Sequence, residues 1–227
     1  MQPHELVLDL GAGSGRLTAE LARSGARVHA IELDPVDAAS LRRLSASRPN
    51  VTVVEADALR VPLPRDPFRV VANLPFGRTT AILRRLLDDP RVPLVRADVI
   101  VEWDLARKRA ACWPSTLLGV CWSAWYELVL VRRLPRACFG PPPSVDAALL
   151  RIERRPAPLV RVDEARRFTA FVRRGFEHDL PRGRAAKAAC RALGIPRAAT
   201  ARELDVYQWA ALFRGLHPAG GPANVRA

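Results

Sequence analysis

Lysine is almost missing from this 227-residue chain: it stands only at Lys108 and Lys187, so nearly all of the 36 basic side chains are arginine. That bias is partly codon usage, and it leaves the excess of base over acid unexplained. Cysteine is sparse. Cys112, Cys121, Cys138 and Cys190 form no CxxC pair and no metal-like cluster, so no metal site is expected. They read as reduced, buried thiols of a cytoplasmic protein. No apolar run is long enough to span a bilayer. The longest weakly charged stretch, Thr116 to Val131, contains Glu127. Met1 is followed by Gln2, Pro3, His4 and Glu5 with no apolar h-region, so neither a secretory leader nor membrane association is expected.

What is present suffices for a packed core. Hydrophobic residues make up 49% of the chain, which excludes global disorder. The length suits one large domain with a small appendage. Against 23 acidic side chains the basic ones leave a net charge of +13. Residues 151–227 hold sixteen basic and seven acidic side chains, +9, and residues 1–150 carry the remaining +4. A basic C-terminal region suits a polyanion, because phosphate neutralisation drives nonspecific nucleic-acid binding. A solubilising surface is the alternative.

The first 105 residues alternate short apolar runs with helical patterns. Strands are expected at Leu6–Leu10, Arg27–Ile31, Val51–Val54, Phe68–Ala72 and Ala97–Val101. Helices are expected at Arg16–Arg23, Val36–Leu44 and Thr79–Leu87. This rhythm predicts an α/β fold, a Rossmann-like parallel sheet with helices on both faces. Tyr126–Leu134 and Val145–Ile152 leave little room for a crossover helix and are expected to close the sheet as an antiparallel pair. Residues 154–158, Arg-Arg-Pro-Ala-Pro, read as a linker. The expected division is a catalytic domain over 1–155, a small basic helical domain over 156–217 and a flexible tail over 218–227. The helical domain would hold helices near Glu164–Phe176, Gly183–Leu193 and Val206–Leu212.

After the first strand comes Asp9-Leu10-Gly11-Ala12-Gly13-Ser14-Gly15. Alternate glycines let a backbone turn sharply and approach a ligand closely. In open parallel sheets such turns lie at the carboxyl ends of strands, where ligands bind. GxGxG is a weak signal alone, and a ligand-free turn is the plain alternative. The second strand ends in Glu32-Leu33-Asp34, and an acid about 20 residues beyond the glycine turn can accept ribose hydroxyls. The third leads into Asp57-Ala58, where an acid and the next backbone N–H suit adenine. Together these strand ends make an adenosine-shaped site. No Arg or Lys precedes Arg16 in the loop, which favours S-adenosylmethionine over a dinucleotide.

Asn73-Leu74-Pro75-Phe76 follows the fourth strand. Pro75 fixes its own φ and holds Leu74 extended. The Asn73 amide oxygen and the Leu74 and Pro75 carbonyls are acceptors that could hold an exocyclic amine. An adenine N6 lone pair is delocalised into its ring, and accepting both N–H groups favours a tetrahedral, nucleophilic nitrogen. Phe76 offers a face for a flipped base. The alternative is that Asn73 caps a helix and Phe76 is core.

At this point the sequence resembles the rRNA adenine-N6 dimethyltransferases. The resemblance is carried by VLDLGAGSGRLT, IELDP, EADAL, NLPF, CFGPPPSVDAALLRI and YQWAALF. NLPFGRTTAILRRLLDDP and VIVEWDLARKRAA lean toward the Erm macrolide-resistance enzymes. The resemblance implies S-adenosyl-L-methionine as cofactor and an adenine of 23S rRNA as substrate. The implied cofactor residues are Asp9, Gly11, Gly13, Gly15, Glu32, Leu33, Asp57, Ala58 and Asn73. The implied target-base residues are Asn73, Leu74, Pro75 and Phe76, with Phe139 as a second aromatic wall. Phe139 could equally belong to a rigid core loop, and Trp103 and Lys108 receive no direct role. The basic helices after residue 155 would help hold the RNA, and the chain is expected to act as a monomer. Two departures stand out. The family's Gln-Asn-Phe-like cofactor clasp does not precede the first strand: either the chain is truncated, its start is misassigned, or its cofactor site is more open, and cofactor affinity turns on which. Phe76 replaces the Tyr of many relatives, keeping the ring without the hydroxyl. Competing functions are methylation of small-subunit rRNA, a non-catalytic rRNA assembly factor on the same fold and, more distantly, DNA adenine methylation.

Overall fold

The computed structural model describes residues 4–110 and 116–217. Within them the chain forms two compact units, one of residues 4–110 and 126–156, the other of residues 116–125 and 157–217.

In the first unit β1 (Leu6–Leu10) is buried along nearly its whole length, as a central strand covered on both faces must be. It runs through a left-handed turn into α1 (Arg16–Arg23), which turns Thr18, Leu21 and Ala22 inward. After β2 (Arg27–Glu32), Asp34 caps α2 (Pro35–Ser45): its carboxylate accepts from the Val36 and Asp37 amides, and Pro35 occupies the first turn. β3 (Val51–Glu55) and β4 (Phe68–Asn73) follow, then a short 3₁₀ turn over Phe76–Arg78, α3 (Thr79–Leu87) and β5 (Leu94–Glu102). α4 (Trp103–Arg109) continues directly from β5. β6 (Tyr126–Leu134) and β7 (Ala147–Arg154) complete a seven-stranded sheet of order β3-β2-β1-β4-β5-β7-β6. Strands β1 to β5 are parallel, and β7 pairs antiparallel with both β5 and β6. The order reverses between β1 and β4, where open sheets bind ligands beyond the strand ends.

The register aligns those ends. Leu10 faces Ile31, Glu32 faces Glu55 and Asn73 faces Ile100. Backbone bonds carry the alignment past the strands: the Gly11 amide donates to the Ile31 carbonyl (2.9 Å), Ala56 to Glu32 (2.9 Å) and Leu74 to Ile100 (3.0 Å).

The second unit is helical: α5 (Leu117–Ser123), α6 (Ala165–His178), α7 (Arg184–Ala192) and α8 (Val206–Leu216). Phe168 meets Trp125 and Phe213 edge to face, with centroids 5.7 and 5.4 Å apart. The Trp125 indole donates to the Val160 carbonyl at 2.9 Å. These contacts draw residues 116–125 into the second unit, where the sequence had assigned them to the first. α4 and α5 were not anticipated. Of the cysteines, Cys121 is buried, Cys190 is partly buried, and Cys138 is exposed, contrary to the expectation of burial. Cys112 and the tail over 218–227 lie outside the described residues. Among the described residues no helix is long and apolar enough to cross a membrane, and no group of three or more His, Cys, Asp or Glu could hold a metal.

Candidate functional site

Beyond the carboxyl ends of β1, β2, β3 and β4 lies a cavity of about 440 Å³. Its lining unites Gly11, Glu32, Leu33, Asp57, Ala58, Asn73, Leu74, Pro75, Phe76 and Phe139, residues scattered over 129 positions of sequence. All but three of the expected site residues are therefore in one place. Arg78 is also in the lining and was not anticipated, together with Ile31, Ala56, Ile82, Pro141 and Pro143.

The glycine turn is held by packing and by an acid. A Cβ on Gly11 would come within 3.3 Å of the Pro75 ring, so the first turn and the tetrapeptide are in contact. Gly15 stands at φ +89°, and a Cβ there would lie 2.7 Å from the Leu41 side chain. Gly15 thus seats α1 against α2 and does not line the cavity. Gly13 does not line it either. Its amide donates to Glu32 Oε2 at 2.8 Å, tying the loop to the end of β2. The other Glu32 oxygen, Oε1, accepts from the Leu33 and Asp34 amides at 2.7 and 2.9 Å. A carboxylate offers about four acceptor positions, so about one remains on Glu32 for a ligand.

Asp9 is the third expected residue outside the lining. It is 1% exposed, and its Oδ2 accepts from the Thr18 hydroxyl at 2.7 Å. Burial pushes its carboxyl up to about 6, the Thr18 bond opposes this, and the Glu32 charge adds to it. Asp9 thus ties the end of β1 to α1 across the glycine turn.

Asp57 is held on both oxygens. Oδ1 accepts from the Leu59 amide (2.9 Å) and Oδ2 from Arg78 Nη2 (2.9 Å). The Leu59 bond lowers its carboxyl below the ordinary range; partial desolvation opposes this, and the Arg78 bond and charge, with Arg60 nearby, add to it.

The tetrapeptide contrasts with these acids. Asn73 is exposed, and no described residue bonds its side-chain amide. It does not cap α3, whose first residues have no side-chain cap. The Pro75 carbonyl accepts from the Arg78 amide (2.9 Å) and the Thr79 hydroxyl (3.2 Å). Pro75 is therefore spent on starting α3, and the acceptors the sequence offered reduce to the Asn73 amide and the Leu74 carbonyl, both on residues of the lining. Phe76 and Phe139 are both half-buried in the lining rather than in the core. Trp103 lies outside it, under the Arg133 guanidinium at 4.9 Å.

Known proteins carry the same chain pattern. Residues 1–179 match the family model described as ribosomal RNA adenine dimethylase. The mycinamicin-resistance protein MyrB of Micromonospora griseorubida is 38% identical over 237 residues, covering 97% of this chain and 75% of the relative. Ribosomal RNA small subunit methyltransferase A of a Synechococcus strain is 34% identical, covering 91% of this chain and 79% of that protein. The crystal structure of the 23S rRNA methyltransferase ErmE superposes with a TM-score of 0.81 at 32% identity, covering 95% of this chain and 92% of that one. The switch-point cavity, the sheet order and these likenesses agree: the chain belongs to the ribosomal RNA adenine dimethylase family.

Proposed function

We propose that this chain methylates the N6 amine of an adenine in 23S rRNA, with S-adenosylmethionine as donor, and so confers resistance to macrolide-type antibiotics. As a member of its family it is an rRNA adenine N6-methyltransferase. The choice of 23S rRNA is supported by the likeness to the 23S rRNA methyltransferase ErmE, and the resistance role by the likeness to the mycinamicin-resistance protein MyrB.

The cavity residues fit such a donor. Glu32 retains an acceptor position for a ribose hydroxyl, and Asp57 with the Ala58 amide suits an adenine edge. Ile31, Leu33 and Ile82 supply apolar walls, and Leu33 is 55% exposed. The absence of a Cβ at Gly11 keeps the cradle beside Pro75 open. When bound, S-adenosylmethionine supplies an electrophilic methyl group.

The observation that carries the reading is Asn73, an amide at a strand end with no partner among the described residues, in the same cavity as both acids. Asn73 Oδ1 and the Leu74 carbonyl accept the two N6 hydrogens of the target base. Their pull favours a pyramidal nitrogen with its lone pair free. Phe76 and Phe139 stack on the extruded base and hold it still. Fixed orientation supplies much of the rate, and no strong base is required if the proton departs to water after transfer. In the second unit, Arg166, Arg173 and Arg174 are exposed along α6, and Lys187, Arg191 and Arg197 surround a concavity. These cations suit the RNA backbone.

The test is methyl transfer from labelled donor to protein-free 23S rRNA and to unassembled small subunits. Label in 23S rRNA, with a primer-extension stop at one adenine, supports the proposal. Label confined to small subunits would favour the second reading, to which the 34% likeness to a small-subunit enzyme points. Label in neither rejects both.

A further inference from the structure

Arg78 stands two residues beyond the tetrapeptide, and its guanidinium bonds an acid 21 positions earlier in the chain. It is not alone. Seven residues on, two helical turns along α3, Arg85 donates from Nη1 to the Leu59 carbonyl and from Nη2 to the Val61 carbonyl. The helix that begins at the target-base turn is thus fastened twice to the loop over residues 57–61. Asp57, Ala58 and Arg78 all line the cavity.

An aspartate carboxylate can swing about its Cβ–Cγ bond. Here the Leu59 amide takes one position on Oδ1, and Arg78 takes one on Oδ2, both at 2.9 Å. One acceptor position remains on each oxygen, in a fixed plane. We propose that Arg78 is a positioning residue for purine recognition: it locks the Asp57 carboxylate so that its open acceptor positions meet an exocyclic amine, making the cofactor pocket select a 6-amino over a 6-oxo purine. The inference rests on the reading that Asp57 and Ala58 hold the donor's adenine. A 6-oxo purine would set a carbonyl oxygen against an ionised carboxylate, and a site built for one hydrogen-bond polarity rejects the opposite one strongly. The contacts that hold the carboxyl of Asp57 below its usual range keep it an acceptor only.

The experiment is calorimetry on the RNA-free protein with S-adenosylhomocysteine and S-inosylhomocysteine. The unaltered chain is expected to prefer the adenosyl ligand by about tenfold or more. Arg78→Ala is expected to weaken the adenosyl ligand about tenfold, as loss of a charged hydrogen bond does, and to shrink the preference. Arg78→Lys, which restores a cationic donor, should recover part of both. An unchanged preference in Arg78→Ala, whatever the absolute affinity, overturns the inference and leaves Arg78 a brace or an RNA contact. If Arg78→Ala does not fold by circular dichroism, Arg78→Lys and Arg78→Gln carry the same comparison, and an unchanged preference in both overturns it. Failure of the unaltered chain to distinguish the two ligands removes the adenine assignment of Asp57 itself, and the inference with it.

Discussion

The two ends of the cavity are built on opposite terms. At the glycine and acid end the polar groups are largely satisfied within the chain: Glu32 accepts three backbone amides, and Asp57 accepts a backbone amide and a guanidinium. At the tetrapeptide end the Asn73 amide has no partner among the described residues. A satisfied carboxylate is oriented before any ligand arrives, so little ordering remains to be done on binding. An exposed amide is hydrated, and its gain comes only when a substrate donor displaces that water. On the proposed reading, the acid end is prepared in advance and the amide end is left for the substrate to complete.

The sharpest way to break this contrast is Asn73→Ala. It should lower methyl transfer by about a hundred- to a thousandfold, as removal of a transition-state hydrogen-bonding group does, while calorimetric binding of S-adenosylhomocysteine persists. Transfer at the unaltered rate would sink the assigned role.

Asp9→Asn probes what the prepared end costs. The folded carboxyl is raised from 3.8 to about 6. Between those values the unfolded chain has released the proton and the folded chain retains it, so stability falls as pH rises through that window and stays lower above it. Asparagine can still accept from Thr18 and has no charge to bury. At pH 7 the variant should be more stable by up to about 3 kcal/mol, at roughly 1.4 kcal/mol per unit, and no different below pH 3.5. Urea titrations at both pH values measure this, and equal effects at both would show that the carboxylate charge is not responsible.

Phe76→Ala should lose about 1–3 kcal/mol of target stacking, read in kcat/KM for RNA, whereas Phe76→Tyr keeps the ring and should lose little. Similar losses for the two would remove the stacking role. The smallest effect is expected from Glu32→Gln. Its amide nitrogen cannot accept from Gly13, so S-adenosylhomocysteine should bind about tenfold more weakly, at a cost of about 1–1.5 kcal/mol for one hydrogen bond. Unchanged affinity would mean that the Gly13 tie does not shape the site.

Much of the first unit was legible because each element there carries a local signal. Leu6–Leu10 is apolar but for Asp9 and flanked by a glycine turn, Leu17 and Leu21 in Arg16–Arg23 are one helical turn apart, and both elements have the expected bounds. α4 escaped because it follows β5 with no turn residue between Glu102 and Trp103. α5, Leu-Leu-Gly-Val-Cys-Trp-Ser, is seven residues without polar alternation, and nothing in its pattern separates helix from strand. Its place in the second unit depends on Trp125 meeting Val160 and Phe168, contacts 35 and more positions away. Within the site, residue type and spacing marked the glycines, the acids and the tetrapeptide. They could not show that Asp9 faces Thr18, or that Arg78 reaches Asp57, since a pairing across 21 residues leaves no periodic trace.

The engagement of the Pro75 carbonyl by Arg78 and Thr79 leaves two oxygens, on Asn73 and Leu74, for the target amine of the proposed reaction. Two receptive oxygens match an unmodified amine, which brings two hydrogens. A base that returns already bearing one methyl brings a single hydrogen, and one oxygen is then idle. On the proposed reading, a second addition on this turn would therefore start from a looser grip than the first.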